Sequence, residues 1–187
     1  MPPTTVDRVD AQGAETVVRR AGHDDAERCQ QIYSPYVRDT VISLEEDPPS
    51  LTQMQERLAK SLEAHDWLVL DGPHGVVGFA YGSEYRSRAA YRWACEVSVY
   101  VDAEHQRAGA GRLLYDELFA SLVDRGYLTA LAGMTLPNAA SEGLHRALGF
   151  EPVGTWRRIG WKFGAWHDVL WMQRHLASPT GPPEEPA

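Results

Sequence analysis

Two stretches of this 187-residue chain carry groups that could do chemistry. The first is Gln106-Arg107-Ala108-Gly109-Ala110-Gly111, set between a Val-rich strand and a helical stretch. Its glycines let backbone approach a ligand closely. The opening turn of the helix offers unpaired N–H groups and the positive end of the dipole. That is an anion cradle, suited to a pyrophosphate, with Arg107 as an added cation. A plain tight turn between strand and helix is the competing reading. The second stretch is Cys95-Glu96-Val97-Ser98. A carboxylate inside such a strand is costly unless it is paired or faces a cavity. Desolvation would raise its pKa and fit it to take up a proton; a structural salt bridge, with Arg92 for example, is the alternative.

Two kinds of nucleotide site are excluded. The chain has no Gly-x-x-x-x-Gly-Lys-Ser/Thr loop and no Gly-x-Gly-x-x-Gly near a first strand. Cys29 and Cys95 are the only cysteines, too few for a disulfide framework or a Cys-x-x-Cys metal pair. His167 and Asp168 lack a third ligand at suitable spacing, so no metal is expected. Net charge is −8, which argues against a partner held by phosphate contacts, so no nucleic acid is expected. No apolar run reaches membrane-span length and residues 1–13 lack the apolar core of a secretory signal. The expectation is a cytoplasmic protein with reduced thiols.

The elements that must hold these groups follow from pattern. Residues 1–15 and 177–187, the latter Pro-rich, read as flexible tails around one domain at 16–176. A strand at 16–20 precedes a helix that Asp24 starts and Pro35 ends. A short strand is expected at Val41–Leu44. Ser50 and Gln53 make a capping box for a helix with Leu51, Met54, Leu58 and Leu62 on one face. A hairpin at 67–81, a strand at 94–101, a helix at 111–125 striped by Leu114, Leu118 and Leu122, a strand at 129–135, a helix from Asn138 to Gly149, and two aromatic-rich strands at 151–163 and 166–174 complete the order. This is an α/β mixed sheet covered on both faces.

The Gln-x-x-Gly-x-Gly loop after a Val-rich strand, with Leu136-Pro137-Asn138 and the run Leu144 to Phe150, resembles the GNAT acetyltransferase superfamily. More narrowly, residues 78–81, 86–93, 96–101, 105–107 and 161–169 are similar to the phosphinothricin N-acetyltransferase family. The match runs with few gaps from about Trp67 to Gln173. Phe163 departs from it, standing where that family often has His.

The resemblance implies a mostly antiparallel sheet of about seven strands and a homodimer. It implies acetyl-CoA as co-substrate, and a small amino acid analogue as acceptor. For the co-substrate it points to the backbones of Ser98, Val99 and Tyr100, the loop of Gln106, Arg107, Ala108, Gly109, Ala110 and Gly111, and Asn138, which could equally be a helix cap. It gives Glu96 the general-base role, with an amine attacking the thioester directly and a backbone N–H such as that of Val99 meeting the oxyanion. His145 would serve the departing sulfur, unless it is a surface histidine. Arg86, Arg88 and Tyr91 would shape the acceptor site, since guanidinium suits carboxylate and phosphinate; a solvated basic loop is the alternative. The aromatic cluster with Lys162 reads first as core or dimer contact. Phosphinothricin is a herbicide, so resistance is one implied role. Other amines (peptide N-termini, polyamines, aminoglycosides) and a non-catalytic acyl-CoA sensor are the rivals.

Overall fold

The computed structural model describes residues 6–9, 15–178, 181 and 184–186. Its centre is an eight-stranded sheet in the order β1-β2-β3-β4-β5-β6-β8-β7. The strands are β1 (Val6–Val9), β2 (Glu15–Arg20), β3 (Trp67–Gly72), β4 (Gly75–Glu84), β5 (Ala94–Val101), β6 (Thr129–Thr135), β7 (Glu151–Lys162) and β8 (Ala165–His175). Four helices, α1 (Ala26–Asp39), α2 (Leu51–Ala64), α3 (Ala110–Asp124) and α4 (Ala139–Ala147), join them. All neighbouring strands are antiparallel except β5 and β6.

The sheet separates two cores. On one face α3 buries Leu114, Leu118 and Leu122 against Ala80, Val97 and Met172. On the other, α1 and α2 bury Ile32, Val37, Met54 and Leu58 against Trp67, Val69 and Phe79. The capping box at α2 is complete, with Gln53 N–H donating to Ser50 Oγ and Ser50 N–H to Gln53 Oε1. Leu51 of the expected apolar face is 41% exposed, because it sits at the first turn beyond the reach of α1.

Four expectations need correction. Pro35 lies inside α1. It lacks the N–H that would bond four residues back, but Ile32, Tyr33 and Val37 bury the helix on both sides of it. Residues 41–44 form no strand; their apolar side chains serve as wall rather than ladder. Val6–Val9 pairs with β2 as an edge strand, so the expected N-terminal tail contributes an eighth strand. At the other end, Glu184 and Glu185 return to the body: the Trp93 indole donates to the Glu184 carbonyl and Arg92 pairs with the Glu185 carboxylate at 2.7 Å. The remaining parts of both expected tails (1–5, 10–14, 179–180, 182–183, 187) lie outside the described residues.

Candidate active site

β5 and β6 pair only from Ala94↔Thr129 to Glu96↔Leu131, then part. The gap beyond is lined by Val97, Ser98 and Val99 on one side, Ala132, Gly133 and Met134 on the other, and His145, Tyr115 and Ile42 around it. Asp102 N–H bonds the Val77 carbonyl on β4. Alternate residues of a strand aim their peptide groups to opposite edges, so Tyr100 and Ser98 also turn theirs to β4. Val97, Val99 and Val101 turn theirs to the gap, and there the Val101 carbonyl accepts from the Tyr36 hydroxyl. Of the three residues expected to offer main chain, Val99 is the one whose peptide groups turn to the gap. Ser98 and Tyr100 also line the gap.

At the wide end the gap opens into a groove of about 380 Å³ that runs past Val99 and Tyr100 to the turn at 106–111 and on to Asn138 and Leu144. Arg107 (φ 64) and Gly109 (φ 86) both have left-handed backbone, which curls successive N–H groups into an anion-binding concavity. Gly109 is the N-cap of α3, and Arg112 and Leu113 N–H return to its carbonyl. A Cβ on Gly111 would lie 3.2 Å from Leu144 Cδ2, so this glycine permits close approach of α3 to α4. The Gln106 amide donates to Tyr36 Oη at 2.9 Å, tying the turn to α1 and, through the Tyr36 hydroxyl on the Val101 carbonyl, to the end of β5. Ala108 instead lines a smaller cavity of about 180 Å³ with Leu70 and Val77. Asn138 caps α4, its Oδ1 accepting from Ser141 N–H at 3.1 Å, and lines both gap and groove; cap and lining coexist.

His145 is 4% exposed, not a surface residue. Its Nδ1 lies 2.8 Å from the Ser141 carbonyl. A carbonyl only accepts, so Nδ1 carries the proton and Nε2 accepts from the Tyr115 hydroxyl at 3.2 Å. Burial lowers the pKa of His145, against the Ser141 bond, so the ring is neutral near pH 7. Tyr115, whose own pKa burial raises, is the hydroxyl donor at the gap. Tyr115 and Tyr36 are the residues the sequence does not single out. An aromatic next to the Leu114 stripe reads as core; only the need of a buried hydroxyl for a partner hints at more.

Glu96 is the last residue of β5 still in register with β6. Burial raises its pKa, opposed by the positive charge of Arg86. Glu96 lines neither cavity itself: its chain neighbour Val97 borders the gap, and its cross-strand neighbour Ser83 borders a cavity on the other side. The alternative partner, Arg92, is paired with Glu185 and stacked over Trp93. That second cavity, about 650 Å³, is lined by Tyr81, Ser83, Arg86, Arg88, Tyr91 and Arg57 among others. It brings the three expected acceptor residues together beside Ser83, the cross-strand neighbour of Glu96. Cys29 and Cys95 are buried and burial pushes both thiols up to about 12, so neither is a nucleophile.

A parted parallel strand pair, an anion nest at the head of the following helix and a desolvated carboxylate at the fork define a transferase that draws an acyl group from an acyl-CoA thioester. The residues fit that group: Val99 turns a donor and an acceptor to the gap for an amide-bearing arm, and the turn before α3 offers main-chain N–H groups for its diphosphate. A family model described as an acetyltransferase (GNAT) domain matches residues 18–171. The chain belongs to the GNAT acetyltransferase family. It is similar to a phosphinothricin N-acetyltransferase of Alcaligenes faecalis, 37% identical over 97% of this chain and 96% of that one. An L-methionine sulfoximine/L-methionine sulfone acetyltransferase of Pseudomonas paraeruginosa is 34% identical over 85% of this chain and 94% of its own. Among solved structures, a phosphinothricin acetyltransferase from Sinorhizobium meliloti in complex with AcCoA superposes with a TM-score of 0.86 at 34% identity, covering 91% and 94% of the two chains. These likenesses agree with the fold class and the acetyltransferase activity expected from sequence.

Proposed function

We propose that this enzyme acetylates the primary amine of a small amino acid analogue of the phosphinothricin or methionine sulfoximine type, using acetyl-CoA, by direct attack. The observation that carries the reading is the place of Glu96, a desolvated carboxylate next to Val97 of the thioester gap and across the strand pair from Ser83 of a cavity that Arg86 and Arg88 also line. Bound acetyl-CoA supplies the activated acyl group. Glu96 accepts the proton of the incoming ammonium; a free α-amine ordinarily titrates at about pH 8 and so is mostly charged near pH 7. Val99 N–H faces the gap, where negative charge on the acyl oxygen would develop. As the C–S bond breaks, the Tyr115 hydroxyl turns from His145 Nε2 to give its proton to the departing sulfur, and the second proton that the amine nitrogen sheds in forming the amide restores it. Arg86 and Arg88 hold the acceptor's anionic groups and Tyr91 bounds their pocket. The names of the relatives support this acceptor class.

The reading includes a cytoplasmic setting, where acetyl-CoA is made, and a homodimer. For the latter the support is the outer face of β7 and β8, where Trp156, Ile159, Trp161, Phe163 and Trp166 are 45–62% exposed, an apolar patch of the sort that marks interfaces. Thiol release from acetyl-CoA, measured against a panel of amino acid analogues, polyamines, aminoglycosides and peptides, tests the activity. Turnover with methionine sulfone, methionine sulfoximine or phosphinothricin well above all other amines is expected; a preference for polyamines or peptides would overturn the acceptor assignment.

A further inference from the structure

Lys162 closes β7 and is 4% exposed, a placement that lysine rarely takes. Desolvating an ammonium is unfavourable unless it is hydrogen-bonded. Its Nζ donates to the Ser43 carbonyl at 2.8 Å and to the Val37 carbonyl. Val37 is in the last turn of α1, where carbonyls lack intrahelical partners and cations are favoured. Ser43 lies beyond the helix end, in the segment leading to α2. One cation therefore ties together both ends of the stretch 37–43.

Ile42 lies inside that closed stretch, next to the bonded Ser43. It lines the gap at Val97–Tyr100 and also the groove that runs to the anion nest. A second set of contacts holds the same segment. Ser43 Oγ and the Tyr33 hydroxyl are 2.7 Å apart, the Tyr33 hydroxyl also reaches Glu45 Oε1 at 2.8 Å, and Arg57 takes both oxygens of Glu45. Leu44 packs onto the bare backbone of Gly160, where a Cβ would lie 2.4 Å from Leu44 Cδ1. The segment is thus locked to the β7–β8 hairpin by Lys162 and Gly160, and to α1 and α2 by Tyr33 and Arg57.

We infer that Lys162 is a positioning residue for acyl transfer: by holding residues 37–43 closed, it fixes Ile42 over the thioester gap, gripping the acyl-CoA arm and keeping water from the reacting carbonyl. Lys162 touches no substrate and acts through Ile42. The inference rests on the acetyl-CoA half of the proposed function and is independent of the acceptor.

The test is a double-mutant cycle of Lys162→Met and Ile42→Ala, read by CoA calorimetry and by acetyl-CoA hydrolysis without acceptor. Each single variant should weaken CoA binding by about fivefold to tenfold, the effect of roughly one hydrogen bond relayed to the ligand, and should raise acceptor-free hydrolysis. The double variant should be no worse than the weaker-binding single, since both break one device. Lys162→Gln, which keeps an amide donor, should recover part of the affinity. Additive losses, or a folded Lys162→Met protein with wild-type CoA affinity, would overturn the inference. Ile42→Ala alone decides the matter if Lys162 variants do not fold: unchanged affinity and unchanged hydrolysis refute it. Wild-type protein that gives no heat with CoA would remove the proposed function instead.

Discussion

In the proposed site the donor side is made of peptide groups: the turned main chain of Val99, the left-handed turn at Arg107 and Gly109, the opening N–H groups of α3. The proposed acceptor side is made of side chains: Arg86, Arg88 and Tyr91, exposed on the connection between β4 and β5. Peptide groups held by a sheet and a helix cannot be changed without changing the fold, so they suit a ligand common to every reaction cycle. Side chains on a connecting segment can be exchanged one at a time, so they suit the part of the reaction that sets selectivity. In the proposed reaction both sides depend on one carboxylate, Glu96.

Removing that carboxylate gives the largest effect. Glu96→Gln should lower kcat by about 10²- to 10⁴-fold, the usual worth of a general base, with CoA affinity nearly unchanged by calorimetry. Wild-type kcat/KM should fall in acid as Glu96 protonates, with an apparent pKa above the ordinary carboxylate range; the variant should lose that limb. Equal activity of the two proteins would break the division at its centre.

Next in size is an effect on stability that belongs to the acceptor wall. His65 lines that cavity, stacks on Tyr127, and burial lowers its pKa to about 4. The unfolded chain therefore binds the proton first. Stability present above about pH 6.5 is lost as pH falls toward about 4, by on the order of 2–3 kcal/mol. Thermal melts from pH 7 to pH 4 should show this slope, and His65→Gln should flatten it. An unaltered slope in the variant assigns the acid sensitivity elsewhere.

Two smaller changes should separate the walls kinetically. Arg86→Ala should raise acceptor KM by about tenfold, one charged contact, and leave acetyl-CoA KM alone. Gly109→Ala, at φ 86 with nothing within 4 Å of the added carbon, should raise acetyl-CoA KM by about threefold to fivefold through left-handed strain of roughly 1 kcal/mol, and leave acceptor KM alone. If either variant moves both constants equally, the sides are not independent.

The donor side is the more legible in sequence for the same reason. Peptide-group binding needs Gly at a positive-φ turn and a strand followed by a helix, and β5, β6 and α3 lie within a residue or so of where pattern puts them. The parting of β5 from β6 is invisible there, because paired and unpaired valines read alike; hence the expectation credits Ser98 and Tyr100 with main-chain contacts that β4 takes. Residues 41–44 look like a strand because their apolar side chains are needed, but the need comes from the gap and from Gly160. Pro35 looks like a stop because one missing N–H is visible in sequence and the burial on either side of it is not. The approach of Arg86 to Glu96 follows from the register Ser83↔Glu96, which no local pattern states.

The fork between β5 and β6 makes Val99 part of a strand border enclosed within the protein. Open borders of sheets ordinarily invite pairing with any stray polypeptide and are blunted by charge or proline. Here no such defence is needed, since α4, Tyr115 and Ile42 crowd the opening. A slender tether that carries its own amides suits such an opening better than a second polypeptide with a side chain at every residue. Selection for the carrier is thereby achieved by admission, before any group on it is recognised.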